Sequence, residues 1–306
     1  MTARPPGPGP GPAHPFALRS RLLAAIRGFF TGRGFVEIET PVRIAAPALE
    51  THIDAEPSGS RWLRTSPELH MKRLLADGWP RLFQMGPCFR RGERGALHHP
   101  EYTMLEWYRA PGDCGAILDD ARALLPEAAR AATGSPTARR SGTDIALDGP
   151  WETMTVADAF RRWAGWDPVA AFDADRFDLD LVDRVEPALP RDRPVVLTDY
   201  PAAAAALARL KPGDPRVAER WELYLGGVEV ANAYSELTDP VEQRARFEAC
   251  AADRRARHRE VYPLDEAFLA SLTRLPPTGG IALGVDRLAM LLAGADSLDA
   301  VMAFRE

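Results

Sequence analysis

Apolar residues recur at helical spacing between Phe16 and Phe30, at Leu18, Leu22, Leu23, Ile26 and Phe29, and Gly32 and Gly34 end the run. Phe35–Thr40 (FVEIET) then alternates and is closed by Pro41, which predicts a strand. Ser66–Gly78 opens with a cap-like Ser66 and Pro67, carries Leu69, Met71, Leu74 and Leu75, and stops at Gly78, as a helix would. RLFQMGPCFR and EYTMLEWYRA are two β-rich runs around a polar loop at Arg91–His99, the pattern of a long antiparallel hairpin. Residues 113–130 read as a helix, Thr133–Pro150 as a loop or small insertion, and residues 155–193 as short helices. PVVLTDYP (Pro194–Pro201) reads as a strand, and Arg220–Leu237 as a strand pair turning at Gly226-Gly227. Residues 240–258 form an Arg/Glu-rich amphipathic helix, and Thr278–Gly294 gives strand, glycine turn and helix. Antiparallel strands with helices between blocks predict an α+β fold, not a doubly wound parallel sheet.

Composition narrows the class. The chain has 306 residues, 46% hydrophobic and 26% charged, which suits a soluble globular protein with one large catalytic unit. Residues 1–15 are rich in Pro and Gly and read as a disordered tail, leaving 16–306 as the folded domain. No apolar run reaches the ~18 residues that span a bilayer, and the N-terminus lacks a signal-peptide centre, so a cytoplasmic protein without a membrane partner is expected. A net charge of −5 disfavours a globally basic nucleic-acid binder. Lys72 and Lys211 are the only lysines, and Cys88, Cys114 and Cys250 fit neither a disulfide framework nor a zinc motif. No glycine-rich nucleotide fingerprint stands between a strand and a helix.

Three constellations carry candidate chemistry. Arg90-Arg91-Gly92-Glu93-Arg94 and His98-His99-Pro100-Glu101 occupy the hairpin loop. Arginines there can hold a triphosphate through forked, charge-assisted hydrogen bonds. Glu222, Glu229 and Glu236 form an acidic series. A spacing of seven puts Glu222 and Glu229 on opposite faces of an ideal strand, whereas a turn at Gly226-Gly227 can bring them together across a hairpin as a Mg²⁺ site. In GGIALGVDRLAMLLAG, Gly284 and Asp286-Arg287 bring backbone and guanidinium close to a ligand.

Together these pieces resemble the class II aminoacyl-tRNA synthetases. FRRGERGALHHPEYTMLEWY is similar to motif 2, GIALGVDRLAMLL to motif 3, and Gly34–Pro47 (GFVEIETPVRIAAP) to motif 1, the dimer element, which implies a homodimer. SPELHMKRL, HHPEYTMLEWY and the NAYSEL segment point to the lysyl branch. The motif 1-like stretch starts near Gly34, leaving no room for an N-terminal anticodon-reading barrel, so the layout resembles the stand-alone elongation factor P lysine ligases. The resemblance implies ATP and Mg²⁺ as cofactors, lysine or (R)-β-lysine as substrate, a lysine side chain of elongation factor P as acceptor, and no tRNA.

It also implies roles. Arg90 or Arg91 holds the α-phosphate: the count back from His98 favours Arg90, and the Arg-x-Glu pattern favours Arg91. Glu93 meets adenine, and His98, His99 and Val230 stand beside ATP. Arg287 holds the γ-phosphate over Gly284, and Glu222 and Glu229 hold Mg²⁺. Ser66, Pro67 and Glu68 meet the α- or β-amine. Glu106, Tyr108 and Glu236 surround the distal ammonium, with Asn232 and Tyr234 completing the pocket. Ala282 stands where lysyl-tRNA synthetases commonly have Gly, a methyl that changes which amino-acid backbone fits. Two rival readings stay open: a lysine ligase acting on tRNA or a small amine, and an inactive paralogue with a regulatory role.

Overall fold

The computed structural model describes residues 14–304. Most of the tail expected at residues 1–15 lies outside them, and the first helix, Pro15–Thr31, is capped by the His14 ring, which accepts from the Phe16 amide.

A nine-stranded sheet organises the molecule. The strands Arg81–Phe89 and Glu101–Arg109 pair along their whole length, from Arg81 opposite Arg109 to Phe89 opposite Glu101. Next to them lie Gly279–Gly284, Val228–Ser235, Asp214–Leu225 and Pro194–Pro201, all antiparallel. Parallel pairing occurs at the margins, where Val36–Glu37 joins Arg81–Phe89 and Glu152–Thr155 joins Pro194–Pro201. Gly226 and Gly227 both have positive φ (60° and 76°), which the two-residue hairpin between its strands requires and which glycine adopts without a Cβ penalty.

Period-two alternation gives the sheet two unlike faces. Leu105, Trp107, Ile281, Leu283, Ala231, Ala233 and Leu223 belong to one core cluster with Leu22, Ile26, Phe30, Leu124, Leu125, Leu288 and Leu291. These come from helices Pro15–Thr31, Cys114–Thr133 and Val285–Leu292. The residues between them on the same strands face the other way and carry the polar groups of the site.

Two sequence expectations change. The strand expected over Phe35–Thr40 is only Val36–Glu37, because Ile38 makes one further bond, to the Phe83 carbonyl, before the chain leaves the ladder ahead of Pro41. The loop expected over Thr133–Pro150 contains a hairpin, Thr137–Arg140 with Thr143–Ala146. Its Ser141-Gly142 turn has positive φ, and Ala138 and Ile145 point into the core, an alternation too short to stand out among Gly, Ser and Thr.

Candidate functional site

The polar face of the central strands forms the floor of a cavity of about 340 Å³. Gly280, Ala282 and Gly284 lie opposite Tyr108, Glu106 and Met104. On the other side Gly280 and Ala282 lie opposite Tyr234 and Asn232, and these lie opposite Arg220 and Glu222. The ladder therefore converts sequence spacing into one lined surface.

Two groups of side chains line it. The first is acidic and deeply buried. Glu106 accepts from Ser66 Oγ (2.6 Å) and from the Tyr108 hydroxyl (2.8 Å). Ser66 Oγ also accepts from the Glu68 amide (2.9 Å) and so starts helix Glu68–Ala76. Glu68 Oε1 meets Lys72 Nζ at 2.5 Å, and Lys72 also contacts Glu236. Gly280 makes this crowding possible: a Cβ there would meet the Tyr108 ring at 2.2 Å and Glu236 Oε1 at 2.3 Å. Pro67 precedes the helix and does not line the cavity.

The second group comes from the hairpin loop and the last strand–turn–helix. Arg287 donates to the Glu229 carbonyl (2.7 Å) and carboxylate (3.2 Å), and its other nitrogens reach the Leu97 carbonyl (3.2 Å) and His98 Nε2 (2.8 Å). Burial and the neighbouring Arg287 hold His98 below the usual histidine range, so its neutral ring accepts from the guanidinium. Asp286, one residue earlier, also borders the cavity; it pairs with Arg19 at 2.5 Å and accepts from the Thr103 amide at 2.7 Å, tying the last helix to the hairpin. Arg90 lies in the cavity wall against the Tyr102 ring (5.3 Å) and Glu93 (3.8 Å). Arg91 turns outward to Glu260 (3.6 Å) and is not part of the lining.

Several buried polar atoms of the lining have no hydrogen-bond partner: Arg90 Nε, His99 Nε2, Asn232 Oδ1 and both oxygens of Glu236, the last balanced only by Lys72. Buried polar groups are normally paired, so unpaired donors and acceptors converging on one cavity mark a surface built for a polar ligand.

Glu222 and Glu229 reach the same cavity by a different route from the turn alone. The ladder shifts register between Leu223 and Tyr224, which sets Glu229 opposite Tyr224. The Tyr224 hydroxyl in turn donates to Glu222 (2.7 Å), together with Tyr200 (2.5 Å) and Arg220 (2.5 Å). Glu229 is 38% exposed in its side chain. Among the described residues no group of three or more His, Cys, Asp or Glu side chains is arranged to hold a metal ion. Two carboxylates suit a Mg²⁺ that keeps waters and phosphate oxygens, not one enclosed by protein.

Among the residues at the site that sequence reading overlooked are Arg220, Gly280, Glu50 and, behind the cavity, Lys72. Arg220 lies two positions before Glu222, so strand parity was its signal. Gly280 had none beyond its place in the glycine-rich motif. Glu50 lines the wall from the segment after the motif 1-like stretch, with its carboxyl raised by burial against the opposing effect of Arg90. Lys72 was legible as an i,i+4 partner of Glu68.

The acidic group has a measurable consequence. Burial, with Glu68 nearby, pushes the Glu106 carboxyl up to about 7. Between its ordinary value of 4.5 and about 7 the folded state keeps a proton that the unfolded chain has released. This contribution to stability therefore falls as pH rises through that window, by up to about 3 kcal/mol. Thermal melts of the wild type and Glu106→Gln from pH 4.5 to 8 are expected to diverge in this sense, the variant gaining relative to the wild type as pH rises. Parallel curves would remove the proton from Glu106.

Comparison with known proteins places the chain. The model of the class II tRNA synthetases (D, K and N) matches residues 10–306. An elongation factor P–(R)-beta-lysine ligase of Hamiltonella defensa subsp. Acyrthosiphon pisum is 38% identical over 94% of this chain and 93% of its own length. That of Klebsiella pneumoniae subsp. pneumoniae gives the same figures. A lysine–tRNA ligase of Moorella thermoacetica is 36% identical over 94% of this chain and 64% of its own length. The chain belongs to the class II tRNA synthetase family, and its antiparallel sheet flanked by helices is that family's catalytic domain.

Proposed function

We propose that the protein is an ATP-dependent ligase that activates lysine or (R)-β-lysine as an aminoacyl-adenylate and passes it to a lysine side chain of elongation factor P. The observation that carries this is the cavity itself. One group of its side chains is acidic, with Glu106 and Glu236 buried and Glu68 half-buried; the other is cationic, at Arg90 and Arg287. An ammonium taken out of water needs anionic acceptors, and a phosphate chain needs forked donors. Relatives named as elongation factor P ligases match this chain along 93% of their length, which supports the acceptor.

Residues fit the nucleotide. At Gly284 an added Cβ would find nothing closer than Arg287 Cδ at 3.7 Å, so the protein leaves space there for a ligand. Arg90 and Arg287 would draw charge from the phosphates, Glu93, His98 and His99 would border the base, and Glu222 and Glu229 would hold Mg²⁺. The ion supplies charge neutralisation at the phosphates. Glu106, Tyr108 and Glu236 fix the distal ammonium, Glu68 the nearer amine, and the amino-acid carboxylate is thereby aimed at the α-phosphate. The carboxylate oxygen bonds the α-phosphorus as pyrophosphate leaves; the neutral acceptor amine then attacks the adenylate carbonyl, AMP leaves with the electron pair of the broken C–O bond, and the amine proton passes to solvent. Positioning and electrostatics do the work, and no enzyme nucleophile is needed.

The protein is further read as a cytoplasmic homodimer. Phe16 on the first helix and Val36 and Val42 in the motif 1-like stretch stay exposed, as apolar side chains of a two-fold contact would be. No described helix is long and apolar enough to cross a membrane. Sedimentation at micromolar concentration tests the pairing, a lone monomer counting against it.

The deciding experiment mixes purified protein, ATP, Mg²⁺ and each amino acid with elongation factor P or with tRNA. The expected product is elongation factor P heavier by one lysine or β-lysine. Efficient charging of tRNA with elongation factor P unmodified makes the protein a lysine–tRNA ligase instead, a reading favoured by the 36% identity to that enzyme of Moorella.

A further inference from the structure

The chain carries 38 basic residues, of which two are lysine. One, Lys211, sits at the surface with Asp199. The other, Lys72, is 1% exposed in its side chain and lies behind the cavity, touching two of the carboxylates that line it. A chain that uses arginine almost everywhere else has an ammonium here.

The contacts say what that ammonium does. Of the three acidic side chains, Glu106 is held by the neutral hydroxyls of Ser66 and Tyr108. Glu68 and Glu236 are instead joined through Lys72, Glu68 from the same helix and Glu236 from just past strand Val228–Ser235. The two carboxylates oppose the burial of Lys72 and keep it protonated. Glu68, Glu106 and Glu236 are the charged groups that face it. Without it, Glu68 and Glu236 are like charges in a poorly hydrated place and either separate or share a proton.

We propose that Lys72 is a positioning and specificity-determining residue, a resident ammonium that fixes the distance between Glu68 and Glu236 and so the separation of the two amino groups in the substrates the cavity accepts. The proposal rests on the reading that the nearer amine meets Glu68 and the distal ammonium meets Glu236. A compact ammonium in contact with one oxygen of each carboxylate holds those oxygens close together. A guanidinium is broader, bonds through a planar fork, and spaces them differently. The free site then sets three acidic side chains, Glu68, Glu106 and Glu236, against one ammonium. Its complement is a molecule with two ammonium groups at a set spacing, a diamino acid of defined chain length.

The test is amino-acid-dependent pyrophosphate exchange with lysine and with ornithine, one methylene shorter, on wild type, Lys72→Arg and Lys72→Met. A one-methylene difference in a fitted pocket is worth about 10- to 200-fold. The wild type is expected to prefer lysine in that range. Lys72→Arg should change the lysine/ornithine ratio of kcat/KM by about 10-fold or more, through KM for the amino acid and not KM for ATP. In Lys72→Met the proton shared by Glu68 and Glu236 must leave before a diammonium substrate binds, so KM for lysine should fall with rising pH more steeply than in the wild type. Should Lys72→Met not fold, Glu68→Gln keeps the Lys72–Glu236 pair and removes one end of the spacing, and the ratio must again shift. Unchanged ratios alongside a general loss of stability and of kcat for both amino acids make Lys72 a structural counter-charge and overturn the proposal alone. A wild type without lysine-dependent exchange overturns the functional reading beneath it, and the proposal with it.

Discussion

Glu236→Gln is expected to lower lysine-dependent pyrophosphate exchange on the order of 10²- to 10³-fold. The carboxylate is almost wholly buried, and its oxygens have no hydrogen-bonding neighbour apart from Lys72. Breaking a buried charge pair by removing one partner costs roughly 3–5 kcal/mol, because the remaining charge is left uncompensated. Two cations depend on Glu236: the resident Lys72 and, in the proposed reading, the arriving substrate ammonium. The variant should therefore lose both stability and lysine affinity, and the two losses are separable. Melting reports the first. Comparison with norleucine, which keeps the chain length and lacks the ammonium, reports the second. Wild type should reject norleucine, and Glu236→Gln should reduce exchange with lysine far more than the residual exchange with norleucine. A wild type that uses norleucine as well as lysine would show that no ammonium is being read at this end of the cavity.

Much of this arrangement was legible before the structure through the resemblance to the synthetase motifs, and period two is the physical reason that part of it holds. Glu106 and Tyr108 share a face because they are two apart in one strand, and Asn232 and Tyr234 likewise. What period two does not contain is register across strands. That Ala282 falls between Glu106 and Asn232, or that Gly280 leaves room for Tyr108 and Glu236, depends on how three strands align. The Glu222–Glu229 pair shows the limit most clearly. The turn was visible as Gly226-Gly227, but the irregularity at Leu223/Tyr224 that sets Glu229 opposite Tyr224 has no signature in either strand. Nor did the sequence show that Tyr200, from a neighbouring strand, and Arg220 would engage Glu222. Lys72 escaped for a different reason: a lysine four residues after a glutamate on a helix is usually a solvated surface pair, and only tertiary packing buries it.

Register also bears on the adjacent arginines of the hairpin loop, between which sequence alone did not choose. Arg90→Ala is expected to reduce pyrophosphate exchange about 10²- to 10³-fold, the usual loss when one preorganised donor to a developing charge is removed. Arg91→Ala is expected to stay within about fivefold of wild type, since an exposed ion pair contributes roughly 0.2–1 kcal/mol. The difference originates where strand Arg81–Phe89 ends. The Arg90 amide bonds the Pro100 carbonyl across the hairpin, and the Arg91 amide bonds Asp54 outside it, so the two side chains leave the backbone in different directions. Arg90 lies along the cavity wall over Tyr102, its Nε buried and without a partner. Arg91 is 42% exposed and its partner is Glu260, outside the cavity lining. Arg90→Lys should recover little, because an ammonium does not reproduce the planar fork that a phosphate accepts. The reverse order, with Arg91→Ala the more damaging, would mean that the loop re-forms around the nucleotide with Arg91 inward. The Arg-x-Glu spacing would then have been the better guide than the direction in which these side chains leave the strand.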